Sequence, residues 1–212
     1  MLLDNNLIIL LSGPAGCGKD TSYEIIKKIY TEKGFNVRQY AFGKSLKEIV
    51  VDLSKLYLNA NFSVEDMSNL AYKELPRPEY IIYRNNEAEH LVIRTLLQQI
   101  GTDIIRKNLG DDIFAQSVVK QIDRDFKKNS IRKPEIAVIT DLRFPNELNC
   151  IENYCNINHY KFLMISINRH NYKIINNSHS SESYFNELKS NITIDNLGTL
   201  DDLETNIREV LE

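Results

Sequence analysis

The sequence has few cysteines and no excess of positive charge. Its 212 residues include three cysteines, Cys17, Cys150 and Cys155, and none of them has the spacing of a metal-ligand motif. So sparse and odd a set argues against a disulfide framework and favours a reducing compartment. With 26 basic against 29 acidic side chains, the chain as a whole has no electrostatic reason to bind nucleic acid or an anionic membrane. We therefore expect any polyanionic ligand to be small.

A long apolar run and a catalytic triad are also missing. The stretch LIILL near the N-terminus is too short to cross a membrane, and no basic segment precedes it. We therefore expect neither a membrane span nor a signal peptide, and a cytoplasmic protein. The four histidines show no ligand spacing, and no Ser-His-Asp or Cys-His set can be assembled from the motifs present.

Apolar runs rich in Ile and Val alternate with segments of helical period, which is typical of an α/β fold with a parallel sheet. We predict strands at residues 7–12, 37–42, 136–140, 162–168 and 191–195. A helix is predicted at 18–33, with Gly34 ending it. Residues 44–128 show no clear strand and are predicted to be a helical insertion into a single domain, whose core is 1–43 and 129–212. The polar residues 170–182 lack a core pattern and are predicted to form a loop over a site.

The segment LSGPAGCGKD follows the first predicted strand and carries a phosphate-binding pattern. Gly13, Gly18 and Lys19 satisfy G-x-x-x-x-G-K, and Gly16 removes further side-chain bulk from the turn. Such a loop directs successive backbone N–H groups at phosphate oxygens, and the helix that begins there adds the positive end of its dipole. Lys19 supplies a full charge near the β- and γ-phosphates. The segment therefore predicts a P-loop that binds a nucleoside triphosphate.

The position after the P-loop lysine departs from the strict motif. A Ser or Thr is expected there to bind Mg²⁺, but the chain has Asp20, followed by Thr21. Asp20 either serves Mg²⁺ through a water molecule or points away from the phosphates, and the sequence leaves both open. A hydroxyl one place later resembles adenylate-kinase loops, which favours a small-molecule kinase. A switch GTPase would also need N-K-x-D, which is absent.

Two charged residues follow the third core strand. In IAVITDLRFPNEL, Asp141 and Arg143 come just after an apolar run, at the sheet edge where α/β proteins bind ligands. Asp141 is a candidate Mg²⁺ ligand and Arg143 a candidate phosphate clamp. The alternative is that Asp141 only caps the next helix. Arg169 ends the following strand and points to the same edge.

Polar residues recur every four positions in IRTLLQQIGTDIIRKNL. On a regular helix, Arg94, Gln98, Thr102 and Arg106 share one face. Such a face is ordinarily only solvated. Gly101 weakens the helix by about 1 kcal/mol relative to Ala, so we expect a backbone or a ligand to approach closely there.

Taken in order, GPAGCGKDT, AFGKSLKEI, RTLLQQIGTDIIR, ITDLRFPNE, INRHN, HSSE and ITIDNLGTLDDL resemble the deoxynucleoside monophosphate kinases of bacteriophages and related viruses. The resemblance covers nearly the whole chain. It implies a P-loop NTPase three-layer sandwich with a five-stranded parallel sheet, a helical acceptor-binding insertion and a lid at about 170–185. It further implies ATP as donor, Mg²⁺, small-molecule nucleotides as partners, and the host cytoplasm if a virus encodes the protein. A homodimer is compatible with it.

The resemblance also implies roles for individual residues. The reaction centre would contain Lys19, Asp141, Arg143 and Arg169, with Asp20 and Asp141 towards the metal. The donor would be bound by Gly13, Ala15, Gly16, Cys17, Gly18, Lys19, Asp20, Thr21, Asn196 and Gly198. The acceptor would be bound by Lys44, Arg94, Gln98, Thr102, Arg106 and Arg143. Two alternatives remain: a dephospho-CoA or phosphomevalonate type of P-loop kinase, and a nucleotide-binding regulatory module without transfer activity.

Overall fold

A computed structural model of the chain describes residues 5–84, 86–129, 134–169, 188 and 190–211. The chain divides into two compact units. Unit 1 comprises Met1–Phe42 and Ala115–Glu212, and unit 2 comprises Gly43–Phe114. Each unit has a hydrophobic core of its own.

Seven strands and eight α-helices are found in the described residues. The strands are β1 (Leu7–Ser12), β2 (Asn36–Tyr40), β3 (Arg77–Arg84), β4 (Glu87–Leu91), β5 (Glu135–Leu142), β6 (Lys161–Asn168) and β7 (Ile192–Asp195). The α-helices are α1 (Lys19–Glu32), α2 (Lys44–Leu58), α3 (Leu70–Glu74), α4 (Ile93–Gln98), α5 (Lys107–Leu109), α6 (Ile113–Asn129), α7 (Pro145–Asn158) and α8 (Leu200–Leu211). A 3-10 turn spans Asp66–Ser68, and a π-helical segment, Gln99–Arg106, joins α4 to α5.

Unit 1 is built on a five-stranded parallel sheet with the order β2-β5-β1-β6-β7. All six residues of the central strand β1 are buried, as expected for a strand that is covered on both faces. The chain leaves β1 towards β2 on one side and leaves β6 towards β7 on the other. The carboxyl ends of β1 and β6 therefore flank a topological switch point, where open α/β sheets bind ligands.

Helices α1 and α8 pack against one face of the sheet. Ile25, Ile26 and Ile29 of α1 pack in the same core as Leu203 and Ile207 of α8. Their three- and four-residue spacing gives α1 one apolar stripe, as the sequence predicts. Gly34, with φ of 81°, follows the helix and donates its N–H to the Thr31 carbonyl.

The sequence correctly predicts the α/β class and all five strands of the parallel sheet, with no strand end displaced by more than two residues. The expectation that residues 44–128 contain no strand is wrong, because β3 and β4 form an antiparallel hairpin. Tyr80 and Ile82 of β3 pack against the core of unit 2. Unit 2 ends at Phe114, and most of α6 belongs to unit 1.

The lid expected at about 170–185 lies outside the described residues.

Candidate active site

The P-loop follows β1 and depends on glycine at positions where a side chain would not fit. Gly13, Gly16 and Gly18 have φ angles of 143°, 75° and 107°, a range that L side chains rarely adopt. A Cβ atom at Gly13 would lie 2.4 Å from the carbonyl oxygen of Ile167 on β6. The loop therefore lies directly against the neighbouring strand, at the switch point of the sheet.

Lys19 begins α1 and folds back over the P-loop. Its Nζ donates to the carbonyl oxygens of Gly13 at 2.7 Å and Pro14 at 2.8 Å. Burial lowers the pKa of Lys19 below the ordinary lysine value, and the nearby positive charge of Arg143 lowers it further. The ammonium group is thus held in a partly desolvated position where an anionic ligand would stabilise its charge.

Two arginines predicted from the sequence also come to this loop. Arg169 follows β6, and its guanidinium Nη1 donates to the Gly16 carbonyl across 3.5 Å. Arg143 follows β5, close enough to Lys19 for its charge to affect the lysine pKa. Lys19 and Arg169 therefore both donate hydrogen bonds to carbonyl oxygens of the glycine-rich loop, and Arg143 adds a positive charge near Lys19.

A buried glutamate that the sequence analysis did not single out fixes the backbone at Arg143. Glu147 is 2% exposed, and its Oε2 accepts hydrogen bonds from the backbone N–H groups of Arg143 at 3.0 Å and Phe144 at 3.1 Å. It is the third residue of α7, after Pro145 at the first position, so it forms the acidic half of a capping box. The P-N-E spacing in the sequence was the available signal.

Asp141 connects the ends of two adjacent strands. Its Oδ1 accepts a hydrogen bond of 2.7 Å from the backbone N–H of Phe42, just beyond β2. The capping contact at the start of α7 is made by Glu147, so capping does not explain Asp141. The carboxylate lies at the carboxyl edge of the sheet, where the sequence predicts it.

The segment between β7 and α8 is hydrogen-bonded to the P-loop. Asn196 donates from Nδ2 to the Cys17 carbonyl at 2.9 Å and from its backbone N–H to the Asn168 carbonyl at 2.7 Å. A Cβ atom at Gly18 would lie 2.6 Å from Asn196 Nδ2. Glycine at position 198 is explained by the structure alone, because a Cβ atom there would meet Asp202. The Asp202 carboxylate accepts a hydrogen bond from the N–H of Thr199.

Other predicted donor residues lie at the start of α1. Asp20 and Thr21 are exposed in the first turn of the helix, while Ala15 is half-buried and Cys17 is fully buried. Burial raises the pKa of the Cys17 thiol, so the group remains protonated and unreactive at neutral pH.

The acceptor residues predicted in unit 2 include two arginines that are held by other groups of that unit. Arg94 forms a close ion pair with Glu74 of α3, a partner that the sequence analysis did not identify. Arg106 donates to the Asp111 carbonyl at 2.7 Å, and its guanidinium lies 5.2 Å from the centre of the Phe114 ring.

The remaining acceptor residues are all reached by solvent. Gln98 is half-buried, and Thr102 and Lys44 are exposed. Gly101 is buried, and a Cβ atom there would lie 2.7 Å from Leu46 Cδ2. The close approach expected at this glycine is therefore made by a side chain of α2.

A family model for deoxynucleotide monophosphate kinase matches residues 32–207. The chain belongs to the deoxynucleotide monophosphate kinase family. Its P-loop, residues 13–19, precedes the matched range, so the loop and the family match are independent observations. Membership makes the chain a nucleotide kinase, and the match carries no information on a viral origin.

Other comparisons add little about the site. No curated protein sequence matches the chain. Among solved structures, a variant of APS kinase CysC from Mycobacterium tuberculosis aligns over 98% of this chain and 97% of that chain, with 9% identity and a TM-score of 0.44. The same kinase in complex with AMPPNP and APS aligns over 98% of both chains, with 8% identity and a TM-score of 0.42.

Within the described residues, no helix is both long enough and apolar enough to span a membrane.

Proposed function

We propose that the protein transfers the γ-phosphoryl group of ATP to a deoxynucleoside monophosphate and releases ADP and the deoxynucleoside diphosphate. The observation that carries this proposal is the family match over residues 32–207, joined to a P-loop that the matched range does not include. The family supplies the acceptor class, and the P-loop supplies a reason to expect a nucleoside triphosphate donor.

The donor phosphates would occupy the P-loop. Backbone N–H groups of the loop, from which Pro14 is excluded because proline has no N–H, and the N-terminus of α1 would face the phosphate oxygens. Lys19 would exchange its bonds with the Gly13 and Pro14 carbonyls for bonds with the β- and γ-phosphates. Arg143 and Arg169, which lie near the same loop, would compensate the charge that spreads over the transferred group. Asn196, which donates a hydrogen bond to the Cys17 carbonyl, would hold the P-loop in a fixed position relative to the part of the site that binds adenine.

The acceptor nucleotide would bind residues of unit 2. Lys44, Arg94 and Arg106 are cations suited to a phosphate, and Gln98 and Thr102 offer donors and acceptors suited to a base or a sugar. Arg94 is held by Glu74, so its guanidinium is oriented before the nucleotide arrives.

The reaction itself needs no general base. A nucleoside monophosphate is mostly dianionic at neutral pH because its second pKa is about 6, so the attacking oxygen is already unprotonated. Catalysis then consists of alignment and charge compensation. The cations Lys19, Arg143 and Arg169 agree with this requirement.

Asp20 and Asp141 are the candidates for holding a nucleotide-bound Mg²⁺. In the described residues no three His, Cys, Asp or Glu side chains cluster as a metal cage, but Mg²⁺ in kinases is held mainly by phosphates and water with one or two carboxylates. Asp141 at the edge of the sheet and the exposed Asp20 are the residues that would hold it. When bound, the ion would neutralise charge on the transferred phosphoryl group.

An acceptor screen tests the proposal. ADP release from Mg-ATP is measured with each deoxynucleoside monophosphate, with dephospho-CoA, phosphomevalonate and ribonucleoside monophosphates as controls. Turnover that depends on one or more deoxynucleotides supports the proposal and defines the substrate range.

The other outcomes identify the alternatives. Turnover with dephospho-CoA or phosphomevalonate alone would keep the donor chemistry and reject the acceptor class. Binding of ATP without turnover on any acceptor would favour a regulatory nucleotide-binding module.

A further inference from the structure

Arg94, Gln98, Thr102 and Arg106 form a polar stripe in unit 2. The helix that carries this stripe changes its hydrogen-bonding pattern between the first two residues and the last two. Arg94 and Gln98 lie on α4, whereas Thr102 and Arg106 lie on the π-helical segment Gln99–Arg106. A step of four residues overshoots a full turn by about 40° in an α-helix. In a π-helix, whose bonds run from i to i+5, the same step falls short of a full turn by about 30°.

The two deviations offset one another along the stripe. In a continuous α-helix Arg106 would lie about 120° around the axis from Arg94. With the π-helical segment the size of this offset falls to about 20°. The four-residue spacing of the sequence therefore produces one narrow line of polar side chains because the helix is not regular.

The burial of the apolar residues independently supports this change in the direction of the side chains around the helix axis. Ile104 is seven residues after Leu97, so in a continuous α-helix both would lie on nearly the same face. Leu97 packs against the core of unit 2, but Ile104 is 57% exposed. Ile105 packs against that core instead. The π-helical segment thus turns Ile104 out and Ile105 in, while it returns Thr102 to the line of Gln98.

Gly101 lies on a buried side of the same segment. It is buried, and a Cβ atom there would meet Leu46 of α2 at 2.7 Å. The chain therefore approaches α2 closely at one residue and presents the exposed Thr102 at the next.

We propose that the π-helical segment Gln99–Arg106 is a positioning device for the acceptor site and that Thr102 is a specificity-determining residue placed by it. The inference rests on the proposed function, since it assigns the polar line to the acceptor nucleotide. The Thr102 hydroxyl can donate one hydrogen bond and accept up to two. It lies in line with Gln98 and Arg106 and reads a polar group of the bound nucleoside. Insertions of this kind occur frequently at functional sites.

Deletion of Ile104 tests the positioning role. Loss of one residue allows the segment to become α-helical, keeps Arg106 within about 30° of the line of Arg94 and rotates Thr102 away from it by about 70°. We expect the KM for the deoxynucleoside monophosphate to rise about 10-fold or more, with the KM for ATP unchanged. Ile104→Ala is the matched control, because it removes the same exposed side chain but keeps the chain length, and it should behave as wild type.

A second pair of variants decides the matter if the deletion variant is not folded by circular dichroism. Thr102→Val keeps the shape of the side chain and removes the hydroxyl, whereas Thr102→Ser keeps the hydroxyl. Thr102→Val should raise the acceptor KM about 10-fold and Thr102→Ser by about 2-fold or less. Equal KM values for the two variants, or a folded deletion variant with the wild-type acceptor KM, would overturn the inference while wild-type turnover still supports the proposed function. A wild-type protein without turnover on any nucleoside monophosphate would overturn both.

Discussion

The side-chain amide of Asn196 donates a hydrogen bond to the backbone carbonyl of Cys17 at 2.9 Å. This contact joins the segment after β7 to the P-loop, 179 residues earlier in the chain. One amide therefore links two parts of the proposed donor site that are distant in sequence, and we expect it to position the loop.

Asn196→Ala should loosen the P-loop without unfolding unit 1. Loss of one partly buried hydrogen bond costs about 1 kcal/mol, which corresponds to a rise of about 5-fold in the KM for ATP. The KM for the acceptor should not change. Asn153→Ala, at an exposed position of α7, is the control in steady-state kinetics. Equal ATP KM values for the two variants would show that the contact does not position the loop.

Lys19→Ala should abolish most of the activity and leave the fold intact. The ammonium group is the cation held nearest the P-loop carbonyls, and removal of one preorganised charge-stabilising donor lowers kcat by about 100- to 1000-fold. Lys27→Ala, which removes an exposed lysine of the same helix, should retain full activity. A near-normal turnover of Lys19→Ala would reject the donor-site assignment.

Gly13→Ala should destabilise the protein more than Gly110→Ala. Both glycines have positive φ, 143° and 100°, so both substitutions introduce backbone strain of about 1–3 kcal/mol. Only Gly13 would also bring a Cβ to 2.4 Å from a backbone oxygen, since nothing lies within 4 Å at Gly110. Thermal unfolding of the two variants measures the difference. If both lose the same stability, the loop can move away from β6 and the tight contact is not required.

Glu74→Gln should weaken acceptor binding. The carboxylate forms an ion pair with Arg94, whose side chain is only 17% exposed, and we expect it to orient the guanidinium. Loss of a charge-assisted contact should raise the acceptor KM about 10-fold, with the ATP KM unchanged. Glu79→Gln, at an exposed position of β3, is the control. A lower acceptor KM in Glu74→Gln would mean that Glu74 competes with the nucleotide phosphate instead of orienting Arg94.

The parts of the fold that can be predicted from the sequence are those that depend on local sequence patterns. The apolar run of β1 and the glycines of the P-loop require nothing beyond their neighbours in the chain, and the three- and four-residue spacing of Ile25, Ile26 and Ile29 identifies the buried face of α1. The cations Lys19, Arg143 and Arg169 are predictable because parallel strands and the helices after them meet at one edge of the sheet.

The parts that the sequence does not predict depend on contacts between distant residues or on irregular backbone. The strand β4 has the sequence EAEHL, whose Glu and Ala residues disfavour a strand, and it forms because it pairs with β3. Glu74, the partner of Arg94, is 20 residues away in the chain, and no periodic pattern in the sequence connects the two residues. The π-helical segment is missed because a four-residue spacing is read on a regular α-helix, and only the exposed Ile104 beside the packed Ile105 reveals the change of phase.

The most direct test of the central claim uses ATP labelled in its γ-phosphate, mixed with one deoxynucleoside monophosphate and the wild-type protein, followed by chromatographic separation of the products. The account predicts that the label moves to the deoxynucleoside diphosphate as ADP forms, and that Lys19→Ala slows this transfer by about 100- to 1000-fold. Label that stays in ATP or appears only as inorganic phosphate, with every deoxynucleoside monophosphate tried, would contradict it.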